Sequence, residues 1–321
     1  MRRREFITLL GGAGAMARPL TARAQAPVPT IGILDSVGVS AVTAFRSGLN
    51  DMGYVEGHGV TIKLRTTEQN DQLQALAAEL VRDRVAVIAA IGGPAAPAAK
   101  AATTTIPIVF SIGGDPVELG LVGSLNRPGG NITGVTFFAA QVLQKELGLL
   151  REVAPRAAVL GLLVNPDNPR AKADTSLVRG AAHDLGFETV VVSAKAPADL
   201  DSAFVSFAQQ HADALTIAGD PFFLRASTSI AALAARHAIP GIFGARAFAE
   251  AGGLMTYGAS QRESHHQAGI YAARILRGEK PGDLPVVQPT KFEFVINLKA
   301  AKTLGLTIPS GLLAIADDVI E

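Results

Sequence analysis

The sequence predicts an α/β protein built as two doubly wound, Rossmann-like lobes joined by a multi-strand hinge. Three observations favour this fold class. Apolar residues make up 48% of the chain and charged residues only 18%, a balance that suits strands buried on both faces. Short apolar runs alternate with helical patterns, the order that gives parallel sheets with right-handed crossovers. The alternation occurs in two similar series that meet near Thr136.

The first series predicts a mostly parallel sheet of five strands. The predicted strands cover residues 30–34, 60–65, 85–91, 107–110 and 132–135. Between them the apolar spacing predicts helices over residues 41–52, 71–82, 95–103 and 117–126. In the first helix Val42, Phe45 and Leu49 fall on one face. Ser40 can cap the start of this helix and Gly53 can end it.

The second series repeats the pattern and is followed by a short tail. Its strands are predicted at 158–164, 189–192, 214–218 and 241–243, and its helices at 141–153, 170–185, 197–210 and 224–237. The tail adds extended segments at 254–257, 286–288 and 292–296 and helices at 265–277, 298–304 and 312–320. These pieces are too few for a third core, so we predict that they cross back between the lobes. The N-terminal lobe then holds residues 28–136 and about 255–285, and the C-terminal lobe holds 137–254 and about 286–321.

The first 24 residues have the pattern of a cleavable export signal. Arginines at positions 2–4 precede a short apolar run, and Ala22-Arg23-Ala24 forms a small-residue cleavage site before Gln25. Two adjacent arginines before x-Phe-Ile resemble the twin-arginine motif. An uncleaved anchor is the alternative, but about 10 apolar residues cannot cross a ~30 Å hydrocarbon core. We therefore predict a periplasmic protein cleaved near Ala24-Gln25.

Charge and cysteine content narrow the function classes. Without the signal, Lys+Arg falls from 29 to 24 and Asp+Glu from 28 to 27, so the formal net charge changes from +1 to −3. The basic character belongs to the signal, and nucleic acid is not an expected partner. The chain has no cysteine, which excludes a disulfide framework and a cysteine-linked lipid anchor.

Polar and glycine-rich turns follow the buried strands, and open α/β sheets bind ligands at such strand ends. Glycine lets backbone N–H groups approach an anionic group, which a helix start also favours. Carboxylates can accept an ammonium group, and aromatic rings can enclose an apolar body. The predicted ligand contacts are Asp35, Ser36, Gly92, Gly93, Pro94, Gly113, Gly114, Asp115, Asn165, Asp220, Phe222 and Tyr257.

Each of these candidates also has a purely structural explanation, which the sequence leaves open. Asp35 or Asp220 can cap a following helix, and Asp115 with Pro116 is a common helix-start pair. The glycines can serve turns that need positive φ. The two aromatic residues can pack in a core or at the hinge.

Five segments resemble a known family. They are GLNDMGYVEG (48–57), GDPVELGLV (114–122), RPGGNITGV (127–135), EAGGLMTYG (250–258) and QPTKFEFVINL (288–298). With them the chain resembles the ABC-transporter substrate-binding proteins related to tryptophan- and tyrosine-type binding proteins. The resemblance implies a type I periplasmic-binding fold that closes on a ligand like a flytrap. It also implies an amino acid or similar zwitterion as ligand and delivery to an inner-membrane permease.

Enzymatic and metal-dependent functions find little support in the sequence. No nucleophile, Walker or dinucleotide motif occurs where it is needed, so an exported hydrolase using Asp115 or Asp220 is the weaker alternative. An exported sensory module would share the fold and remains open. His265 and His266 are adjacent on a predicted helix and cannot face one ion together. We therefore expect no catalytic residue, metal or cofactor, and a monomer.

Overall fold

The computed structural model describes residues 28–137, 140–288 and 290–321. The predicted export signal, with its cleavage site at Ala24-Gln25, lies outside the described residues and stays a prediction. Among the helices of the described part, none combines the length and hydropathy that crossing a bilayer requires.

Strands and helices alternate along the described chain, and the strands predicted in both series are present. The strands are β1 (Thr30–Asp35), β2 (Thr61–Thr66), β3 (Val87–Ile91), β4 (Ile108–Ile112), β5 (Ile132–Thr136), β6 (Val159–Val164), β7 (Glu188–Ser193), β8 (Ala214–Ile217), β9 (Ile242–Phe243), β10 (Met255–Ala259), β11 (Phe292–Asn297) and β12 (Asp318–Ile320). The helices are α1 (Val39–Asp51), α2 (Leu73–Arg82), α3 (Ala95–Ala102), α4 (Ala140–Val153), α5 (Ala171–Asp184), α6 (Leu200–Gln209), α7 (Pro221–Arg225), α8 (Ser227–Arg236), α9 (Arg246–Glu250), α10 (Gln261–Leu276), α11 (Leu298–Thr303) and α12 (Ser310–Ile315).

The first lobe is built on a parallel five-stranded sheet in the order β2-β1-β3-β4-β5. Every residue of β3, β4 and β5 is buried, because helices cover both faces. On one face, Ile31 and Phe45 pack with Tyr271 of α10. On the other, Leu34 and Leu80 pack with the alanines of α3. The carboxyl ends of all five strands therefore meet at one edge of the sheet.

The second lobe contains a parallel three-stranded sheet, β7-β6-β8, and a four-stranded sheet, β12-β11-β10-β9. A bridge between Leu215 and Gly241 connects the two. Only β10 and β11 run antiparallel within this array. Helices α4 and α5 pack on one core with Leu162, and α6 and α8 pack on another with Phe204.

The chain crosses between the lobes more than once. β10 pairs with β9 and β11 in the second lobe, while α10 packs against α1 of the first lobe. Val287 then bridges Val135 at the edge of the first sheet, before β11 returns to the second. We propose residue 260, rather than the approximate 255, as the crossing into the second segment of the first lobe.

Helices α1 and α10 cross at unusually close range because glycines meet there. A methyl group on Gly48 would overlap the backbone oxygen of His266, and one on Gly269 would overlap that of Phe45. Only glycine lets the two backbones approach this closely. Helix α10, from a late part of the chain, therefore packs directly on α1, from its early part.

Two predicted helices are wrong. Residues 117–126 form turns, because a single turn after Pro116 is closed by Gly120 at φ +63°. The N–H of Leu121 donates to the Pro116 oxygen at 2.8 Å and that of Gly120 to Val117 at 2.9 Å, a Schellman ending. The helix predicted over 312–320 stops at Ile315, and its last residues form β12 beside β11.

Candidate functional site

A cleft runs between the two lobes and consists of two adjoining cavities. The larger has a volume of about 180 Å³ and the smaller about 70 Å³. Both cavities share one group of lining residues, drawn from both lobes: Gly113, Phe137, Arg170, Gly219, Asp220, Leu224 and Gln261. The two cavities therefore form one continuous site, with β4 and β5 of the first lobe facing α5 and β8 of the second.

The first lobe lines the cleft mainly with backbone. Gly92, Gly93 and Gly114 line the smaller cavity and Gly113 lines both. A Cβ on Gly114 would lie 2.7 Å from Nη1 of Arg170, across the cleft. A side chain at this position would displace Arg170, so glycine lets the second lobe approach in the observed arrangement, and the turn leaves peptide groups facing the cavity.

The side chains of Asp35 and Ser36 lie behind this wall and form hydrogen bonds with groups of the first lobe. The Asp35 carboxylate accepts the backbone N–H of Val37 at 2.9 Å and that of Gly38 at 3.1 Å. Burial raises the pKa of Asp35, against these N–H donors, which lower it. Ser36 Oγ donates to the Ile91 oxygen at 3.3 Å. The loop into α1 is thus held by Asp35, and Ser40, the predicted cap, lies inside the helix.

The second lobe lines the cleft with charged side chains. Arg170 and Asp174, one turn apart at the start of α5, form a buried ion pair. Burial raises the pKa of Asp174, and the adjacent guanidinium partly opposes this rise. Asp220 accepts the Phe222 N–H at 2.8 Å, so it caps α7, and its other oxygen accepts Nδ2 of Asn168 at 2.7 Å. This end of the cleft therefore carries two carboxylates and one guanidinium.

Besides the charged residues above, the larger cavity has a mostly apolar lining that includes one further acid. Its apolar lining comes from α4, α5, β8 and α9, namely Val142, Leu143, Leu177, Val178, Ile217, Ala218, Ala245 and Phe248. Glu146 of α4 also lines it and is 8% exposed. Burial raises the pKa of Glu146 to about 8. At neutral pH this carboxyl group is therefore mostly protonated.

Phe137 and His265 form the wall of the smaller cavity on the first-lobe side. His265 Nδ1 and Ser111 Oγ are hydrogen-bonded at 2.8 Å, and the Phe137 ring meets the imidazole edge-on at a centroid distance of 5.9 Å. Burial lowers the pKa of His265 to about 4. The imidazole is thus neutral and orients Phe137, which contacts both cavities.

Direct contacts hold the lobes together across the cleft. Arg225 of the second lobe donates from Nη1 to the Ser36 oxygen of the first lobe at 2.6 Å. Its Nε lies 3.6 Å from Glu68 Oε1. Together with the approach of Arg170 to Gly114, these contacts describe a closed cleft.

The structure brings five of the predicted contacts to the cleft lining and places the others around it. Those at the lining are Gly92, Gly93, Gly113, Gly114 and Asp220. The N–H groups of Val117 and Glu118 donate to Asp115, and that of Asp167 donates to Asn165.

Three further predicted contacts lie in secondary structure or among aromatic rings. Pro94 immediately precedes α3. Phe222 packs on Phe223 at 5.2 Å. Tyr257 lies 6.1 Å from the Phe292 ring and packs against the core of the second lobe that contains Leu162. These residues, with Asp35 and Ser36, shape the turns behind the lining.

Several lining residues were not predicted from the sequence, among them Phe137, Glu146, Arg170, Asp174 and Gln261. Glu146 did leave a signal, because it interrupts the apolar stripe of Leu143, Leu147 and Leu150 on α4. The other residues left none, since their approach to the cleft depends on how the two lobes meet.

Comparisons with known proteins agree with this architecture. The model of the family described as ABC transporter substrate binding protein matches residues 33–320. A tyrosine-binding protein of Clostridioides difficile (strain R20291) is 29% identical over 268 residues, which are 83% of this chain and 76% of that protein. The family match over residues 33–320 includes both lobes and the residues that line the cleft.

Two solved structures bear on the conformation. An ABC domain from Streptococcus pneumoniae in complex with L-Trp is 25% identical, covers 91% of this chain and 99% of its own, and superposes with a TM-score of 0.83. A ligand-free, open substrate-binding protein with adhesive properties from Clostridium difficile is 26% identical, with coverages of 92% and 99%, but scores 0.66. The two identities are nearly equal, and the higher TM-score indicates that the lobe arrangement of this chain is more similar to that of the L-Trp complex than to that of the open protein. The predicted two-lobed type I fold and the resemblance are confirmed, and the chain belongs to the ABC transporter substrate-binding protein family.

Proposed function

We propose that this protein captures an aromatic α-amino acid between its lobes and delivers it to an ABC permease. The observation that carries the proposal is the division of the cleft into a charged end and an apolar end. A zwitterion with a large apolar side chain matches both ends at once.

The charged end suits the α-amino and α-carboxylate groups. Asp174 and Asp220 offer carboxylate oxygens to an ammonium group, and the guanidinium of Arg170 offers donors to a carboxylate. Hydrogen bonds between charged partners are about twice as strong as neutral ones. The glycine turns of the first lobe add backbone groups on the opposite side, so the ligand contacts both lobes.

The apolar end suits an aromatic ring. Phe137 and Phe248 line the larger cavity together with leucine, valine and isoleucine side chains. Relatives whose names state a tyrosine or L-Trp ligand support the same class. A ligand that joins the two ends favours the closed form, because only that form offers both sets of contacts.

The test is calorimetric titration with all proteinogenic amino acids, with thermal denaturation as a second readout. We expect aromatic L-amino acids to bind best, and Asp220→Asn to weaken them at least tenfold, or about 1.4 kcal/mol. Asp115→Asn is the matched control. Asp115 lies in the turn that follows β4, accepts the Val117 N–H and does not line the cleft. If no aromatic amino acid binds or raises the melting temperature, the ligand proposal is wrong.

Transport and export are the remaining parts of the proposal. A sensory role would share the same fold, so uptake of labelled ligand by cells with and without the gene separates the two. The N-terminal pattern supports twin-arginine export. Replacing Arg3 and Arg4 by lysine should then retain the protein in the cytoplasm, and normal periplasmic delivery of that variant would contradict this route.

A further inference from the structure

Glu146 occupies an unusual place in the cleft. It lies on α4 in register with Leu143, Leu147 and Leu150, a face that packs into the core of the second lobe. Its side chain nevertheless faces the larger cavity, opposite Gly244, where a Cβ would lie 3.3 Å from the Glu146 Oε1 atom. Glu146 lines the larger cavity but not the smaller one, and the charges that shift the pKa of Asp174 are those of Arg170, Glu118 and Asp220 and do not include Glu146.

No partner for this carboxyl group is found among the described residues, in either hydrogen bonds or ion pairs. Nearby charged groups are committed elsewhere. Arg170 and Asp174 of α5 pair with each other, and Arg246 of α9 contacts Glu250, Glu293 and Asp318. The side chain is 8% exposed and lines the larger cavity, so its hydrogen-bonding partner must come from what occupies that cavity, water or ligand; a buried polar group left without one costs about 1–3 kcal/mol.

We infer that Glu146 selects the ligand through the aromatic side chain of the amino acid, at the end away from its α-amino and α-carboxylate groups. The carboxyl group hydrogen-bonds a phenol hydroxyl or ring N–H on the aromatic side chain of the bound amino acid. This inference rests on the proposed function, because it takes the amino-acid backbone to lie at the charged end and the ring to extend towards α4. The ligand class narrows accordingly to aromatic amino acids whose ring carries a hydrogen-bonding group.

The surroundings favour a neutral hydrogen bond over an ion pair. Burial keeps the carboxyl group protonated near neutral pH, and the residues beside it are apolar. A protonated carboxyl group can donate one hydrogen bond and accept others. A ligand ammonium at this place would require burying two charges, at a desolvation cost that often exceeds their attraction.

The test uses the whole protein and three probes, L-tyrosine, L-tryptophan and L-phenylalanine, by isothermal titration calorimetry. The variants are Glu146→Leu, which removes the polar group, and Glu146→Gln, which keeps a neutral donor and acceptor. Glu152→Leu is the matched control, since Glu152 lies on the same helix but is exposed. Removing a buried acid is not expected to impair folding, and circular dichroism checks this.

We expect the wild type to bind tyrosine or tryptophan about 10- to 100-fold more tightly than phenylalanine, since a site built for a hydrogen bond rejects the ligand that lacks it. Glu146→Leu should abolish this preference and improve phenylalanine binding, while Glu146→Gln and Glu152→Leu keep the preference. If Glu146→Leu leaves the ratio unchanged while all three ligands bind, the inference is overturned and the proposed function stands. If none of the three binds to any variant, the proposed function itself fails.

Discussion

The two walls of the cleft are built from different chemistry. The first lobe presents mainly glycine turns at the ends of β3 and β4, whereas the second presents Arg170, Asp174, Asp220 and Glu146. Glycine turns let the first lobe approach a ligand closely, while the charged side chains of the second lobe decide which polar groups can bind. On the proposed function, the comparison assigns close approach and closure to the first lobe, and recognition of both the α-amino and α-carboxylate groups and the ligand side chain to the second.

The largest effect is expected at the glycine wall. In Gly114→Ala the new methyl group would lie 2.7 Å from Nη1 of Arg170, whose ion pair with Asp174 holds it in place. Closure should be blocked and ligand binding weakened about 100-fold or more, equivalent to about 2.7 kcal/mol. Titration calorimetry measures the loss. Gly123→Ala is the control, because its Cβ would have only the Pro128 oxygen nearby, at 4.0 Å, and wild-type affinity in Gly114→Ala would refute the steric argument.

A smaller effect is expected at the contact that joins the walls. Arg225→Ala removes the 2.6 Å bond to the Ser36 oxygen, which joins the two lobes across the cleft. A hydrogen bond from a charged donor contributes about 1.5–3 kcal/mol, and the lower end applies to this part-buried bond, so the ligand should dissociate roughly tenfold faster. Stopped-flow kinetics measure the rate. Arg236→Ala, which removes an exposed ion pair within the second lobe, should leave it unchanged; equal effects of both variants would show that Arg225 has no special role.

The two walls should also contribute pH dependences of opposite sign to the stability of the fold. Glu146 of the second lobe should give the larger change. Its pKa is raised to about 8 in the folded protein, so the folded state binds more protons than the unfolded state between about pH 4.5 and 8. The free energy of unfolding is therefore highest at low pH and falls as pH rises through this window. Relative to Glu146→Gln, the wild type should lose at least about 1 kcal/mol from pH 5 to pH 8. Urea unfolding of both proteins tests this, and parallel pH profiles would contradict it.

His265 of the first lobe should give the opposite and smaller response. Its pKa is lowered to about 4, so the unfolded state binds more protons between about pH 6.5 and 4. Stability should fall as pH drops through this range. In His265→Gln the loss of unfolding free energy between pH 7 and pH 4.5 should be smaller by about 1 kcal/mol. Urea unfolding at the two pH values measures this difference. An unchanged acid side would mean that another group controls it.

Local patterns predicted much of the fold, because buried parallel strands have continuous apolar runs that end in recognisable turns. The strand ends at Gly92, Gly113 and Asp220 were found in this way, and all three line the cleft. The helix predicted after Pro116 failed because Gly120 adopts a left-handed conformation that residue spacing does not reveal.

The side chains of the site were harder to predict than its turns. The Asp35 carboxylate accepts a hydrogen bond from a backbone N–H of its own loop. A polar residue at a strand end therefore need not contact the ligand. Phe137 and Arg170 reach the cleft only because the lobes face each other, and that contact has no signature in either segment alone. Sequence spacing therefore locates the edge of a sheet, whereas the chemistry between lobes depends on contacts far apart in the chain.

The close crossing of α1 and α10 also bears on how the protein is made. The face of β1 that carries Ile31 and Ile33 is covered by α1 together with Tyr271, Ala272 and Ile275 of α10. These last residues leave the ribosome only after the whole second series of strands and helices. The first lobe is therefore synthesised first and completed last. Until α10 is made, the apolar surface that α10 covers on this lobe stays exposed and accessible to proteins that bind unfinished chains.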